Sequence, residues 1–218
     1  MNTSSPSTLQ VLLHVANKLC QIHGAGYAHR DVKPSNIILD SDTKQWMLID
    51  FASAAQIGTN QTLSYTPLFA PPELGHIVST GHNQFVVSGA VDVWALGIMA
   101  WTLLTGSLPY ACGDDVIPKL LGHQLFPWEE KIDVKTNFKL GILKPAVLSM
   151  LTRDPEKRAT IHQVHKEWNS LLHNKNPPRM AWLFHCGRFS SAAHSWHVFE
   201  RCMTAYSSCP CPIFRYVR

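Results

Sequence analysis

His29-Arg30-Asp31-Val32-Lys33-Pro34-Ser35-Asn36 is the stretch on which the reading turns: eight residues carrying two cations, a carboxylate, an amide and a proline. Pro34 fixes its own φ, lacks an N–H and pushes Lys33 toward extended backbone, so the stretch reads as a loop. Upstream, Leu9, Leu12, Leu13, Ala16, Leu19, Cys20 and His23 recur at three- and four-residue spacings, which predicts a helix that Gly24 and Gly26 close. Downstream, Ile37-Ile38-Leu39 and Trp46-Met47-Leu48-Ile49 flank the polar turn Asp40-Ser41-Asp42-Thr43-Lys44, which predicts a small β-hairpin. The loop is thus slung between a helix and a hairpin, and Asp50-Phe51-Ala52 leaves the second strand.

Farther out, residues 52–72 are rich in Ser, Thr, Gln and Asn and read as a polar loop. Val91–Thr105 is apolar nearly all round, which marks a helix buried on most faces. Weaker helical patterns follow near 116–121, 140–151 and 161–172, and no internal repeat is present. The fold class expected from this pattern is mainly α with a minor β-hairpin.

A chain of 218 residues with 45% hydrophobic and 16% charged residues is globular rather than wholly disordered or collagen-like. Its net charge of +4 is unevenly placed: residues 1–173 hold 13 Lys and Arg against 14 Asp and Glu, whereas residues 174–218 hold 6 against 1. The basicity belongs to a tail, so no nucleic-acid partner is expected for the main domain. No charged-then-apolar leader precedes Leu9. The uncharged run from Val93 to Gly113 carries Gly106 and Pro109, and its strongly apolar part is too short for a span. Only Cys20 and Cys112 fall before residue 174, which suits a reducing compartment. The expected location is cytoplasmic or nuclear, with no membrane partner.

Three segments follow: a disordered N-terminus over 1–8, a domain over 9–173, and a basic Cys/His/aromatic tail over 174–218. The tail begins at Asn174-Lys175-Asn176-Pro177-Pro178 and shows neither helical nor strand period, so disorder is expected there. Cys186, Cys202, Cys209 and Cys211 with His185, His194 and His197 are zinc-ligand types. Their spacing lacks a repeated Cys-x-x-Cys pair, and no metal is assigned to them.

His29-Arg30-Asp31 followed by four residues and Asn36 resembles the catalytic loop of eukaryotic-type protein kinases. Asp50-Phe51-Ala52 stands where that family has Asp-Phe-Gly. Pro71-Pro72-Glu73 resembles Ala-Pro-Glu, Asp92-Val93-Trp94-Ala95-Leu96-Gly97 resembles the opening of the family's central helix, and Asp154-Pro155-Glu156-Lys157-Arg158 resembles its late arginine segment. Five motifs in order, on the expected elements, leave little room for chance. The likeness covers roughly residues 9–172 and is to the C-terminal lobe.

The resemblance implies Ser/Thr kinase activity: transfer of the γ-phosphate of ATP to protein hydroxyls, with ATP and Mg²⁺ as cofactors and protein substrates as partners. It makes Asp31 the proton acceptor and Lys33 the cation at the transferring phosphate. Asn36 and Asp50 become magnesium holders, since the hard cation favours oxygen ligands. Ile38, with Asp50, is implied to border the nucleotide. Thr66, in Tyr65-Thr66-Pro67-Leu68-Phe69, aligns with the threonine that braces the catalytic loop, and with Lys33 favours a Ser/Thr acceptor. His29, Arg30, Phe51, Glu73, Asp92 and Arg158 are implied to be structural, Glu73 and Arg158 as a buried ion pair. The plainer reading of Asp31 and Asn36 is turn and capping residues around Pro34.

Departures from the family pattern are plain. Only 28 residues precede His29 and most form one helix, so the Gly-rich strand-turn, the strand lysine and its helix Glu of an N-terminal lobe are expected to be missing from this chain. Such a truncated chain is expected to bind ATP poorly. Ala52 stands where Gly would reach positive φ freely. Gly75–Gly89 is an extra polar stretch without an assigned role. Thr59, Thr62, Ser64 and Tyr65 are candidate phosphosites. The competing function is a pseudokinase-like binding module that docks substrates or a full-length kinase, with an exposed apolar patch near Ile38 and Leu48.

Overall fold

The computed structural model describes residues 8–105 and 138–173. Helix α1 spans Thr8–Gly24. It buries the stripe Leu9, Leu12, Val15, Ala16 and Leu19, and Gly26 at φ 83° turns the chain out of it. Strand β1, Tyr27–Ala28, leads into the loop quoted above, which ends in a 3₁₀ turn over Pro34–Asn36. Strands β2 (Ile37–Leu39) and β3 (Trp46–Leu48) form the expected hairpin, with Ile37 opposite Leu48, Ile38 opposite Met47 and Leu39 opposite Trp46. Its turn is held by the Asp40 carboxylate, which accepts from the Asp42 N–H at 2.9 Å and from Thr43 Oγ1 at 2.7 Å.

Residues 52–72 are more structured than a polar loop. They hold β4 (Ala55–Gln56), β5 (Asn60–Thr62) and a 3₁₀ turn over Pro67–Phe69. After α2 (Pro72–Ser79), strand β6 (Gln84–Val86) returns to pair with β5, while β4 pairs with β1. Among the described residues there are therefore three two-stranded antiparallel sheets where the sequence predicts one. The added strands are two or three residues long and mostly polar, so they leave no alternating signal.

Helices α3 (Ala90–Thr105), α4 (Phe138–Met150) and α5 (Ile161–His173) complete the described elements. Trp94, Leu96, Ile98 and Met99 of α3 are fully buried against Ala146, Val147 and Met150 of α4 and against Leu12 and Leu19 of α1. Burial of each large apolar side chain contributes about 1.5–3 kcal/mol. A second, smaller core gathers Ala28, Ala55, Leu74, Phe85, Val87 and Val91 beneath the β5–β6 pair. No helix among the described residues is long and apolar enough to cross a membrane. The helix expected near 116–121, the tail over 174–218 and its zinc-ligand types lie outside the described residues, as do residues 1–7.

One expectation about the surface needs correction. Leu48 is buried at 5% exposure, whereas its neighbour Met47 and the facing Ile38 (45%) are open. Alternation along β3 sends Leu48 to the core and Met47 to solvent, so the exposed patch is Ile38 with Met47.

Candidate active site

Three side chains converge on Asp31. Pro34 brings the chain round so that Lys33 Nζ lies 2.7 Å from Asp31 Oδ2, and Asn36 Nδ2 donates to the same oxygen at 3.0 Å and to the Asp31 carbonyl at 2.9 Å. From 35 residues away, Thr66 Oγ1 donates to Asp31 Oδ1 at 2.8 Å and accepts from Lys33 Nζ at 3.2 Å. Both carboxylate oxygens are thus engaged and one cation balances the charge, which fixes the side chain's direction. Asp31, Lys33, Asn36 and Thr66 are brought together; a mere turn around Pro34 would not recruit Thr66.

The loop backbone hangs from Asp92, which is 1% exposed at the start of α3. Its Oδ2 accepts the His29 N–H at 2.7 Å and its Oδ1 the Arg30 N–H at 2.7 Å. His23 Nε2 adds a contact to Oδ2 at 2.8 Å. Arg30 sits at φ 69°, a left-handed conformation that the two anchored N–H groups impose. Burial lowers the Arg30 pKa, and the nearby Asp92 charge opposes that. His29 accepts the Asp31 N–H on Nδ1 at 3.3 Å and meets the Ile49 carbonyl through Nε2 at 3.0 Å, so Nε2 carries the hydrogen.

Asp50 follows β3 at φ 63° and is exposed. The Ile49 N–H donates to the Asn36 carbonyl at 2.8 Å, which ties the segment bearing Asp50 to the Asn36 turn. The left-handed residue of this corner is Asp50, not Ala52, so alanine at 52 carries no φ penalty. Phe51 is 52% exposed, with its ring edge-on to His29 at 4.9 Å. Ile38 stands open on β2.

The donor chemistry fits magnesium. Asn36 turns Nδ2 toward Asp31, which sends its oxygen the other way, and Asp50 offers a carboxylate. Among the described residues no group of three or more His, Cys, Asp or Glu could hold a metal.

Below the site, Arg158 forms a two-pronged pair with Glu73, Nη1 to Oε1 at 2.7 Å and Nη2 to Oε2 at 2.9 Å. It also donates to the Ala90 and Thr152 carbonyls and stacks over Trp94 at 5.0 Å. The sequence reading placed His23 on the helix stripe and Thr62 among candidate phosphosites but missed their contacts to Asp92 and Arg30, and it missed Phe85 altogether. His23 left one signal, a polar residue on the apolar stripe of α1; Phe85 left none.

Helices around a loop hung from a helix-borne Asp, with three small antiparallel sheets among the described residues, define a protein-kinase-like domain. Residues 2–168 match the protein kinase domain family. Ribosomal protein S6 kinase alpha-2 of Mus musculus is 31% identical over 164 residues, covering 72% of this chain and 21% of its own length. The probable serine/threonine-protein kinase fhkA of Dictyostelium discoideum is 28% identical over 201 residues, covering 76% and 32%. Serine/threonine-protein kinase PEPKR2 of Arabidopsis thaliana is 34% identical over 150 residues, covering 65% and 28%. The chain belongs to the eukaryotic-type Ser/Thr protein kinase family, and it spans less than a third of the length of these relatives.

Proposed function

We propose that residues 9–173 form the C-terminal, substrate-binding lobe of a Ser/Thr protein kinase. The observation that carries this reading is the Asp31 carboxylate held jointly by Lys33, Asn36 and Thr66. In this reading Asp31 orients an acceptor Ser or Thr hydroxyl and takes its proton, while Lys33 neutralises charge beside it. Asn36 and Asp50 would hold Mg²⁺, and Ile38 would border the nucleotide. Mg-ATP, when bound, supplies the phosphoryl group and the cation that spreads its charge. Phe51, Glu73, Asp92 and Arg158 support the site without touching substrate. The work belongs to the cytoplasm or nucleus.

The test is transfer from labelled Mg-ATP to a generic protein substrate, with Asp31→Ala as control. Signal that depends on Asp31 supports the proposal; equal signal from both proteins refutes catalysis here. The second reading, a docking module without catalysis, draws on the exposed apolar Ile38 and Met47. It predicts no magnesium-dependent nucleotide heat in titration calorimetry.

A further inference from the structure

Gly75–Gly89 has no role in the site described so far, yet it is built against the loop that carries Thr66. Strand β6 within it pairs with β5, Asn60 opposite Val86, Gln61 opposite Phe85 and Thr62 opposite Gln84. The pairing extends beyond the strands: the Gly58 N–H donates to the Val87 carbonyl, the Val87 N–H to the Thr59 carbonyl, and the Leu63 N–H to the Asn83 carbonyl, at 2.8–2.9 Å. Phe85 and Val87 point into the small core with Ala28, Ala55, Leu74 and Val91. The Phe85 ring also lies 5.1 Å from the Arg30 guanidinium, whose Nη2 donates to the Thr62 carbonyl at 2.6 Å. One cation of the catalytic loop is therefore gripped by both partners of the β5–β6 pair.

We propose that Gly75–Gly89 is a built-in brace: it holds residues 58–66 in their site-forming arrangement without any covalent modification, and Phe85 positions Arg30. The physical ground is that the loop's backbone groups, which would otherwise face water, are paired to a strand anchored in its own apolar core. A cation over an aromatic face adds attraction that grows as water is excluded. The hydroxyls of Thr59, Thr62 and Ser64 need carry no phosphate for this arrangement to persist. The brace rests on the reading of Thr66 as the threonine that holds Asp31 in a catalytic loop, but its readout requires no catalysis, so the two can fail separately.

The test is amide hydrogen exchange on the full 218-residue chain, treated with phosphatase and confirmed unmodified by intact mass. The expected result is protection of the Gly58, Leu63 and Val87 amides by at least about tenfold over free-chain rates. Phe85→Leu keeps an apolar side chain in the small core but removes the ring beneath Arg30. It is expected to raise exchange in 58–63 by about fivefold and to leave α3 amides unchanged. Phe85→Tyr should restore the wild-type pattern. Free-chain rates at 58–63 in the unmodified protein, or protection that arises only after phosphorylation, would overturn the proposal. So would a Phe85→Leu protein in which loop and α3 amides change together, or neither changes.

Discussion

Arg158 shows how one side chain can hold distant segments when its geometry is matched at every donor. Its planar fork meets both Glu73 oxygens, and the same guanidinium reaches carbonyls at Ala90 and Thr152. A lysine has one compact charge and cannot make those contacts together. Arg158→Lys is expected to lower the unfolding free energy by about 2–4 kcal/mol, below the full figure for a sealed pair because Glu73 keeps some solvent contact. Chemical denaturation measures this, and a loss under about 0.5 kcal/mol would contradict it. Thr66 operates at the same scale but through placement. Thr66→Val leaves the carboxylate of Asp31 without one of its donors, and under the proposed function kcat should fall about 10–100-fold while KM for ATP changes little. Thr66→Ser should recover most of it; equal loss in both variants would mean the methyl, not the hydroxyl, matters.

At the level of elements, close approach matters more than propensity. Gly97 lies where α3 meets the end of α4: a Cβ there would come within 2.8 Å of Leu151 Cδ2 and 3.0 Å of Met150 Cβ. Alanine would gain about 1 kcal/mol of helix propensity, yet the crowding costs about 1–3 kcal/mol because Met150 Cβ cannot swing away. Gly97→Ala should therefore lower the thermal midpoint, against the usual trend for glycine in a helix; a rise would show that α4 yields. The turn ahead of α5 predicts a pH response. Lys157 and the Glu156 N–H bond the Asp154 carboxylate and hold its pKa below the ordinary value of about 3.8. A group with a depressed folded pKa stabilises fully above the unfolded value and loses that stabilisation as pH falls through the folded one. The melting-point gap between wild type and Asp154→Asn should stay level above pH 5 or so and narrow below about 3.8; a gap that widens toward acid would contradict it. Elements with periodic apolar stripes, α1 and α5, were legible in the sequence, and so were α3, from its run apolar nearly all round, and the β2–β3 hairpin. The pair β5–β6 was not, because Asn60-Gln61-Thr62 has no apolar alternation and its partner lies beyond α2. The site divides likewise: Asp31, Lys33 and Asn36 sit within six residues, whereas Asp92 acts across a separation of 62 and was legible only through the family resemblance, not from local spacing.

For the molecule as a whole, the unequal treatment of the two hairpin faces sets its behaviour in solution. Ile37 and Leu48 are oppositely paired and enter the main core, while Ile38 and Met47, paired one step along, face outward. Leu39 and Phe51 add further exposed apolar area. Single exposed apolar side chains are ordinary, but adjacent ones on a flat two-stranded surface favour association with any complementary apolar face, a second copy included. Sedimentation velocity on the 218-residue chain should show association that grows with concentration. Ile38→Ser combined with Met47→Ser should weaken it while the thermal midpoint stays put, since exposed positions shift stability by no more than about 0.5 kcal/mol. The two readouts separate surface from core: loss of association with a fallen midpoint would mean the hairpin itself had come apart. A wild-type chain that stays monomeric at high concentration, or a double variant that associates as strongly, would remove the hairpin face as the cause.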